Sequence, residues 1–457
     1  MFNFFKTKLP IDLLNKAWIE YRWSWLCKNL GAELMRNAPM LTLTDFPELS
    51  DLTEQSARRL FQRISAQFKF SANSVALEFL DDAGGAGEYN DGSSALGFYE
   101  PGNDLHDGKV VIATSLLQRP AEMVSTMAHE LGHHLLLGGS GKLFAADEFD
   151  HEHLTDLLSV FTGFGLFTAN CTVQDHSYTD GEMNHFHISK SGYLSSIQFG
   201  YALGLMAWMR NEYSPTWLNQ LRPDARVSCR NAIRYLMKTG DAFVQPDSNF
   251  HTDQHSKPRR TEELVSQSPS VRLATLFQWQ MESQSIDQIA SQVAQLLNDS
   301  ITEIRVAAIY LYTVSGIPLT PTSEASLVRS LSSDDEEESL LACQVLFERR
   351  FAGIDELVRR SRFWFEKNNE SNLARITYVT ILESLSEEQF HTHCQVAIVK
   401  KTDRDLRQGG DAEMFLTVLR KVPDLATIMD QFFNRWSEER QQGLAYFRDT
   451  GQRPVQL

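Results

Sequence analysis

The stretch Met127-Ala128-His129-Glu130-Leu131-Gly132-His133-His134 contains the pattern His-Glu-x-x-His. Residues four apart on an α-helix share a face, so His129 and His133 can both aim imidazole nitrogens at one metal ion. Glu130 lies one step round, close enough to reach a water held by that ion without being a ligand. Zinc lowers the pKa of such a water to about 7, and a neighbouring carboxylate can then take its proton and release a hydroxide nucleophile. The chemistry on offer is metal-assisted hydrolysis, with Zn2+ as cofactor, His129 and His133 as ligands and Glu130 as general base.

A helix must carry that pattern, and the flanking residues predict one. Gln118-Arg119-Pro120-Ala121-Glu122 reads as a helix start, with proline in the first turn and an acid near the positive end of the helix dipole. From Met123 to Leu137 the segment is apolar on nearly every side, which marks a buried helix, and Gly138-Gly139 stops it. Two histidines and a glutamate buried on such a helix must be satisfied, and a metal does so at once. Two histidines leave zinc short of a third protein ligand. Beyond them Glu152-His153-Leu154-Thr155-Asp156 opens a second apolar run. Glu152 and Asp156 share a helix face, so one can bind the metal while the other hydrogen-bonds the far nitrogen of a ligating histidine. His134, Asp147, His151 and His153 stand nearby as further donors, with solvated or hydrogen-bonded roles expected of each.

These residues resemble the gluzincin clan of metallopeptidases, the thermolysin-like group, in which His-Glu-x-x-His is followed by Glu-x-x-x-Asp on a second helix. The resemblance implies a zincin-like fold and a zinc-dependent metallopeptidase acting on protein or peptide substrates. It assigns His129, His133 and Glu152 as ligands, Glu130 as general base and Asp156 as the orienting carboxylate. It covers the region around the two motifs and not the rest of the chain. Peptide hydrolysis also needs a donor for the developing oxyanion. The histidine- and tyrosine-rich stretch His176 to Tyr193 follows the third ligand, and His187 and Tyr193 are the candidates there, although no family motif matches it residue by residue.

The net charge of -16 argues against nucleic acid as a partner, since nothing offsets phosphate repulsion. Five scattered cysteines without Cys-x-x-Cys spacing argue against a disulfide framework and for a reducing, cytoplasmic setting. No apolar run approaches the roughly 18 residues a spanning helix needs, and Met1 to Pro10 is too short for a secretory signal. Leu14, Trp18, Tyr21 and Trp25 recur at helical spacing and are expected to be core.

In chain order, a helix is expected over Thr53 to Phe68 and strands over Val75 to Leu80, Ala95 to Tyr99 and Lys109 to Ala113, just before the metal helix. Leu96-Gly97-Phe98-Tyr99 is a candidate edge strand along a substrate cleft, where a glycine either admits substrate backbone or marks a bulge. Further helices are expected after Leu194-Ser195 and from Asp224 to Thr239. Gln245 to Ser270 is polar and reads as linker or exposed loop.

Beyond it, Leu296-Leu297-Asn298-Asp299 leads to Glu303-Ile304-Arg305-Val306-Ala307-Ala308, and thirty-five residues later Leu331-Ser332-Ser333-Asp334 leads to Glu338-Ser339-Leu340-Leu341-Ala342-Cys343. A weaker third copy is expected through Asn369, Leu373, Ile376 and Leu382. These copies resemble HEAT-type α-solenoid repeats, which would present a surface to a protein partner; a plain helical bundle is the alternative.

The expected fold is therefore α+β, predominantly α. It comprises a zincin-like domain over 1–244 with a small sheet and active-site helices, a connecting segment over 245–282, and an all-α domain over 283–457. The alternative to the enzyme is a protein-interaction scaffold whose zincin domain is structural or inactive.

Overall fold

Local sequence signals set most element boundaries in the computed structural model. It describes residues 8–454 except 52, 70–74, 82–95, 103–107, 139–142, 144–149, 181–182, 191–192, 247–260, 282–285, 369, 394, 423–424, 426 and 429–436. For 173–180, 183–190, 286–287, 391–393 and 395 the backbone alone is described. The chain is mostly helical and forms two units, Met1–Gln278 and Trp279–Leu457.

The first unit opens with helix α1 (Leu13–Leu26), whose N-cap Asp12 accepts a hydrogen bond from the Asn15 backbone N–H. Helix α2 (Glu54–Gln67) starts at Thr53, whose hydroxyl accepts from the Ser56 backbone N–H. Strands β1 (Ala76–Leu80), β2 (Gly97–Glu100) and β3 (Lys109–Ala113) form one sheet in the order β1-β3-β2. The β-branched run of β3 is central. It pairs parallel with β1, Ala76 opposite Lys109, and antiparallel with β2, Gly97 opposite Ile112. Val110 and Ile112 are fully buried beneath the metal-motif helix α3 (Pro120–Leu137), which packs on β2 and β3.

Helix α3 begins with proline in its first turn and ends at Gly138, as its sequence predicts. Helices α4 (His151–Phe161) and α5 (Gly165–Cys171) pack against it. Next comes an antiparallel hairpin, β4 (Val173–Asp180) and β5 (Met183–Lys190), in which His176 faces His187 in the register. A strand pair thus occupies most of the histidine- and tyrosine-rich stretch. Helix α6 (Ser196–Met209) is buried almost throughout and starts with a capping box between Ser195 and Gln198. It packs along α7 (Pro223–Thr239), which ends at Gly240 in the left-handed conformation.

Two expectations for this unit need correction. The stripe Leu14, Trp18, Tyr21, Trp25 is core only in part: Leu14 is 48% exposed, Trp18 and Trp25 are half-buried against the core, and Tyr21 is buried. The buried set instead includes Lys16, Glu20, Arg22 and Trp23. Charges reach the interior because each finds a partner. Lys16 Nζ lies 2.9 Å from Glu20 Oε1 and donates to Ser270 Oγ at 2.6 Å. The Glu20 carboxylate also accepts from the Tyr201 hydroxyl and the Phe243 backbone N–H.

The second correction concerns the connecting segment. Thr261–Val265 forms a short 3-10 turn and helix α8 spans Pro269–Met281, with Leu264, Ser270, Leu273 and Ala274 buried. The bond from Lys16 to Ser270 ties this stretch to the first unit, and the boundary between the units falls inside α8, within the expected connecting segment 245–282. The apolar spacing of Leu264, Leu273 and Ala274 outweighs the polar composition around it.

The second unit holds helices α9 (Thr302–Ser315), α10 (Pro321–Ser330), α11 (Glu336–Glu348), α12 (Ile354–Lys367), α13 (Asn372–Ser384) and α14 (Gln395–Gln408). Alternate helices stack: α9 on α11 and α11 on α13, with α10 and α12 packed beside them. The acidic run after Ser333 starts α11, and Asp335 accepts from the Glu338 backbone N–H. Glu338 is buried, not solvated as a helix start would suggest, because Arg305 grips it with two hydrogen bonds of 2.8 and 2.7 Å. Ser330 and Ser333 donate to the same carboxylate. Among the described residues no helix is long and apolar enough to cross a membrane, and Cys27, Cys171, Cys229 and Cys343 are buried free thiols.

Candidate metal centre

Helix α3 presents His129 and His133 on one face, and the first turn of α4 brings Glu152 over them. His129 Nε2, His133 Nε2 and Glu152 Oε2 form a triangle with every side 3.1 Å. Zinc bonds of about 2.0–2.1 Å at tetrahedral angles set donor atoms about 3.3 Å apart, so an ion fits this set with only a few tenths of an ångström of adjustment. Among the described residues these three alone form a group able to hold a metal ion.

The hydrogen bonds behind the triangle decide what its three atoms offer. His129 Nδ1 lies 2.9 Å from Asp156 Oδ1, and the other oxygen of Asp156 already accepts from the backbone N–H groups of Tyr193 (2.7 Å) and Leu194 (2.9 Å). An ionised carboxylate only accepts, so the proton of His129 sits on Nδ1 and its Nε2 turns a lone pair inward. Thr155 repeats the device for His133. Its hydroxyl donates to the His151 carbonyl at 2.8 Å, leaving its oxygen to accept from His133 Nδ1 at 3.3 Å. Three lone pairs therefore converge, and they repel one another unless a cation sits among them. The cation is either a metal ion or a proton.

Electrostatics point the same way. Burial works to lower the pKa of His129, but hydrogen bonds to Asp156 and Glu152 and the charges of Asp156 and Glu130 outweigh it and hold the imidazole well above its ordinary value. Burial works to raise Glu152, yet its bonds to His129 and His133 hold it below the usual carboxylate range. A metal must therefore displace a proton from His129. Since the raised pKa keeps that proton bound below it, metal affinity is expected to rise with pH through neutrality, by about tenfold per unit for each proton displaced. Chelator competition across a pH series, with calorimetry in buffers of different ionisation enthalpy, checks both the slope and the proton count.

Glu130 is buried beside the triangle without joining it, and no hydrogen bond reaches its carboxylate among the described residues. Burial pushes its pKa up, against the pull of His129 and His133. A carboxylate with raised proton affinity next to a metal site suits a general base.

Close packing brings the two helices together. A Cβ on Gly132 would lie 2.8 Å from the Thr155 methyl, so the glycine inside the motif is what lets α4 approach α3. Gly97 has a similar cause, and the structure corrects one of the two roles expected for it, the bulge. A Cβ there would lie 2.6 Å from the methyl of Thr126 on α3, so the glycine accommodates the metal helix, and the antiparallel register runs through it without a bulge.

The competing donors have other partners. His134 Nδ1 lies 3.0 Å from the Tyr99 hydroxyl, and His151 Nε2 lies 3.2 Å from Glu152 Oε1, the carboxylate oxygen turned away from the triangle. His153 contacts the rings of Trp18 and Tyr193, and Asp147 lies outside the described residues. Tyr193 does reach the site. Its ring lies nearly parallel to that of His129, centroids 6.1 Å apart, and it is 47% exposed. His187 lies on β5 opposite His176, and its side chain lies outside the described residues.

Sequence reasoning missed the partners of Asp150, the residue before α4. Arg22 donates to it twice, at 2.7 and 2.6 Å, and Trp18 Nε1 donates at 2.8 Å. The only signal was an arginine amid the apolar residues of α1, and nothing in the sequence says which acid it meets. Comparison with protein-family models, curated proteins and solved structures finds no match to this chain.

Proposed function

We propose that the first unit is a zinc-dependent metallopeptidase of the gluzincin type, acting on protein or peptide substrates. The observation that carries this reading is the convergence of His129, His133 and Glu152, within 3.1 Å of one another, beside a buried carboxylate that has no hydrogen-bond partner among the described residues. A structural metal site has no use for such a base. When bound, zinc supplies Lewis acidity, acidifying water and polarising a carbonyl.

The chain's own residues do the rest. Asp156 and Thr155 hold the two imidazoles in the tautomers that ligation needs, and Glu130 takes a proton from the attacking water and returns it to the leaving amine. Strand β2 lies at the sheet edge beside α3, where an extended peptide can add its backbone as a further strand. Tyr193, stacked on His129, is the candidate donor to the oxyanion.

The stacked helices of the second unit support a HEAT-like repeat, a surface suited to recruiting substrate or a protein partner. The buried free thiols suit a cytoplasmic setting. The test is cleavage of an unfolded protein by the zinc-loaded chain before and after chelation. Activity that vanishes with the metal and returns with one equivalent of zinc supports the reading; cleavage indifferent to chelation contradicts it.

A further inference from the structure

We propose that α1, although far from the motif in sequence, is a working part of the metal centre. Arg22 and Trp18 position the third ligand, Glu152, by gripping Asp150. The inference rests on the metal-site reading above and adds residues to it.

Asp150 occupies the N-cap of α4, where an aspartate ordinarily accepts from the helix's own first N–H groups. Here its side chain makes no capping bond. Both oxygens turn instead to α1. Arg22 Nη2 donates to Oδ1 at 2.6 Å, while Arg22 Nε at 2.7 Å and Trp18 Nε1 at 2.8 Å donate to Oδ2. Arg22 is 1% exposed and Asp150 4%, so this fork is dry as well as bidentate.

One position beyond the ligand, the His153 ring meets the Trp18 ring edge-on, with centroids 6.0 Å apart. Residues of α1 therefore hold both flanks of Glu152. Ligand atoms must lie within about 0.2 Å of their ideal distances, so a small drift of this turn releases the carboxylate. The histidines would be spared. Their orientation comes from Asp156 and Thr155, a turn further along α4, and Asp156 is pinned separately by the backbone of Tyr193 and Leu194.

The test compares Asp150→Asn and Trp18→Phe with wild type and Glu152→Ala in the full chain. Zinc affinity is read by chelator competition, and coordination by the visible spectrum of the cobalt-loaded protein. Trp18→Phe removes one donor and keeps an aromatic ring against His153, so it decides the matter if Asp150→Asn does not fold.

Asp150→Asn should weaken zinc binding by about 10- to 100-fold, the usual effect of losing a group that supports a ligand. Trp18→Phe should weaken it several-fold. Both cobalt spectra should move toward that of Glu152→Ala as the carboxylate leaves the ion. A merely structural clamp would lower the unfolding midpoint and leave the affinity and spectrum of the folded protein unchanged; that result overturns the proposal. If the wild type binds no zinc, or Glu152→Ala binds it as tightly as wild type, the metal-site reading falls, and this inference with it.

Discussion

Glu130→Gln is expected to keep its zinc and lose peptide cleavage by about 10²- to 10⁴-fold, the usual contribution of a positioned general base. An amide matches the carboxylate in shape but cannot accept a proton at neutral pH. The three converging donors do not include Glu130, and Asp156 and Thr155 orient the histidines without it. Metal content and affinity should therefore stay close to wild type. Stability should hold or improve, because a buried carboxylate without a hydrogen bond costs folding energy that an amide avoids. Zinc content, the unfolding midpoint and the turnover rate, taken on one preparation, separate these effects. Wild-type turnover by Glu130→Gln would remove the base from the mechanism.

Glu152→Ala has the opposite signature: metal is lost and activity with it. Two imidazoles four apart on one helix still meet an ion, but the carboxylate supplies the only anionic ligand atom of the triangle. Loss of a supporting group costs about 10- to 100-fold in affinity, so loss of a ligand should cost more than about 100-fold. Stability reports this without any assay of activity. A ligand at a hundred times its Kd stabilises the folded protein by about 2.7 kcal/mol. Zinc at such a concentration should raise the melting temperature of wild type and leave that of Glu152→Ala nearly unmoved. The alanine also frees His129 and His133 from a carboxylate held below its usual pKa, so His129 should give up its proton at lower pH than in wild type.

The site was more legible in the sequence than the frame that holds it. The spacing of His129 and His133 requires only a helix, and the apolar run with Pro120 and Gly138 at its ends predicts one, so the placement of three candidate side chains follows from local rules. Asp156 behind His129 is a choice between two acids on one face, which the metallopeptidase resemblance decides; in the structure Asp156 Oδ1 lies 2.9 Å from His129 Nδ1. Thr155 carries no such mark, because a threonine on a buried helix is usually a filler and its role appears only when α4 is laid against α3. Arg22 and Asp150 were illegible for the same reason: the sequence says each charge must be paired, not with whom.

The stripe on α1 misled because regular aromatic spacing implies a single apolar face, whereas this helix buries paired charges as well. The polar composition up to Ser270 misled over 261–270 because a few well-spaced apolar residues suffice to seat a segment. In the second unit the repeat of about thirty-five residues marked the helices that stack, while the bond from Arg305 to Glu338 between them emerged only from the fold.

The most direct test of the central claim is X-ray absorption at the zinc edge on wild-type protein loaded with one equivalent. A four-coordinate shell with bonds of about 2.0–2.1 Å and the outer-shell scattering of two imidazole rings is expected. A six-coordinate oxygen shell without imidazole scattering, or zinc that washes away on dialysis, would contradict it.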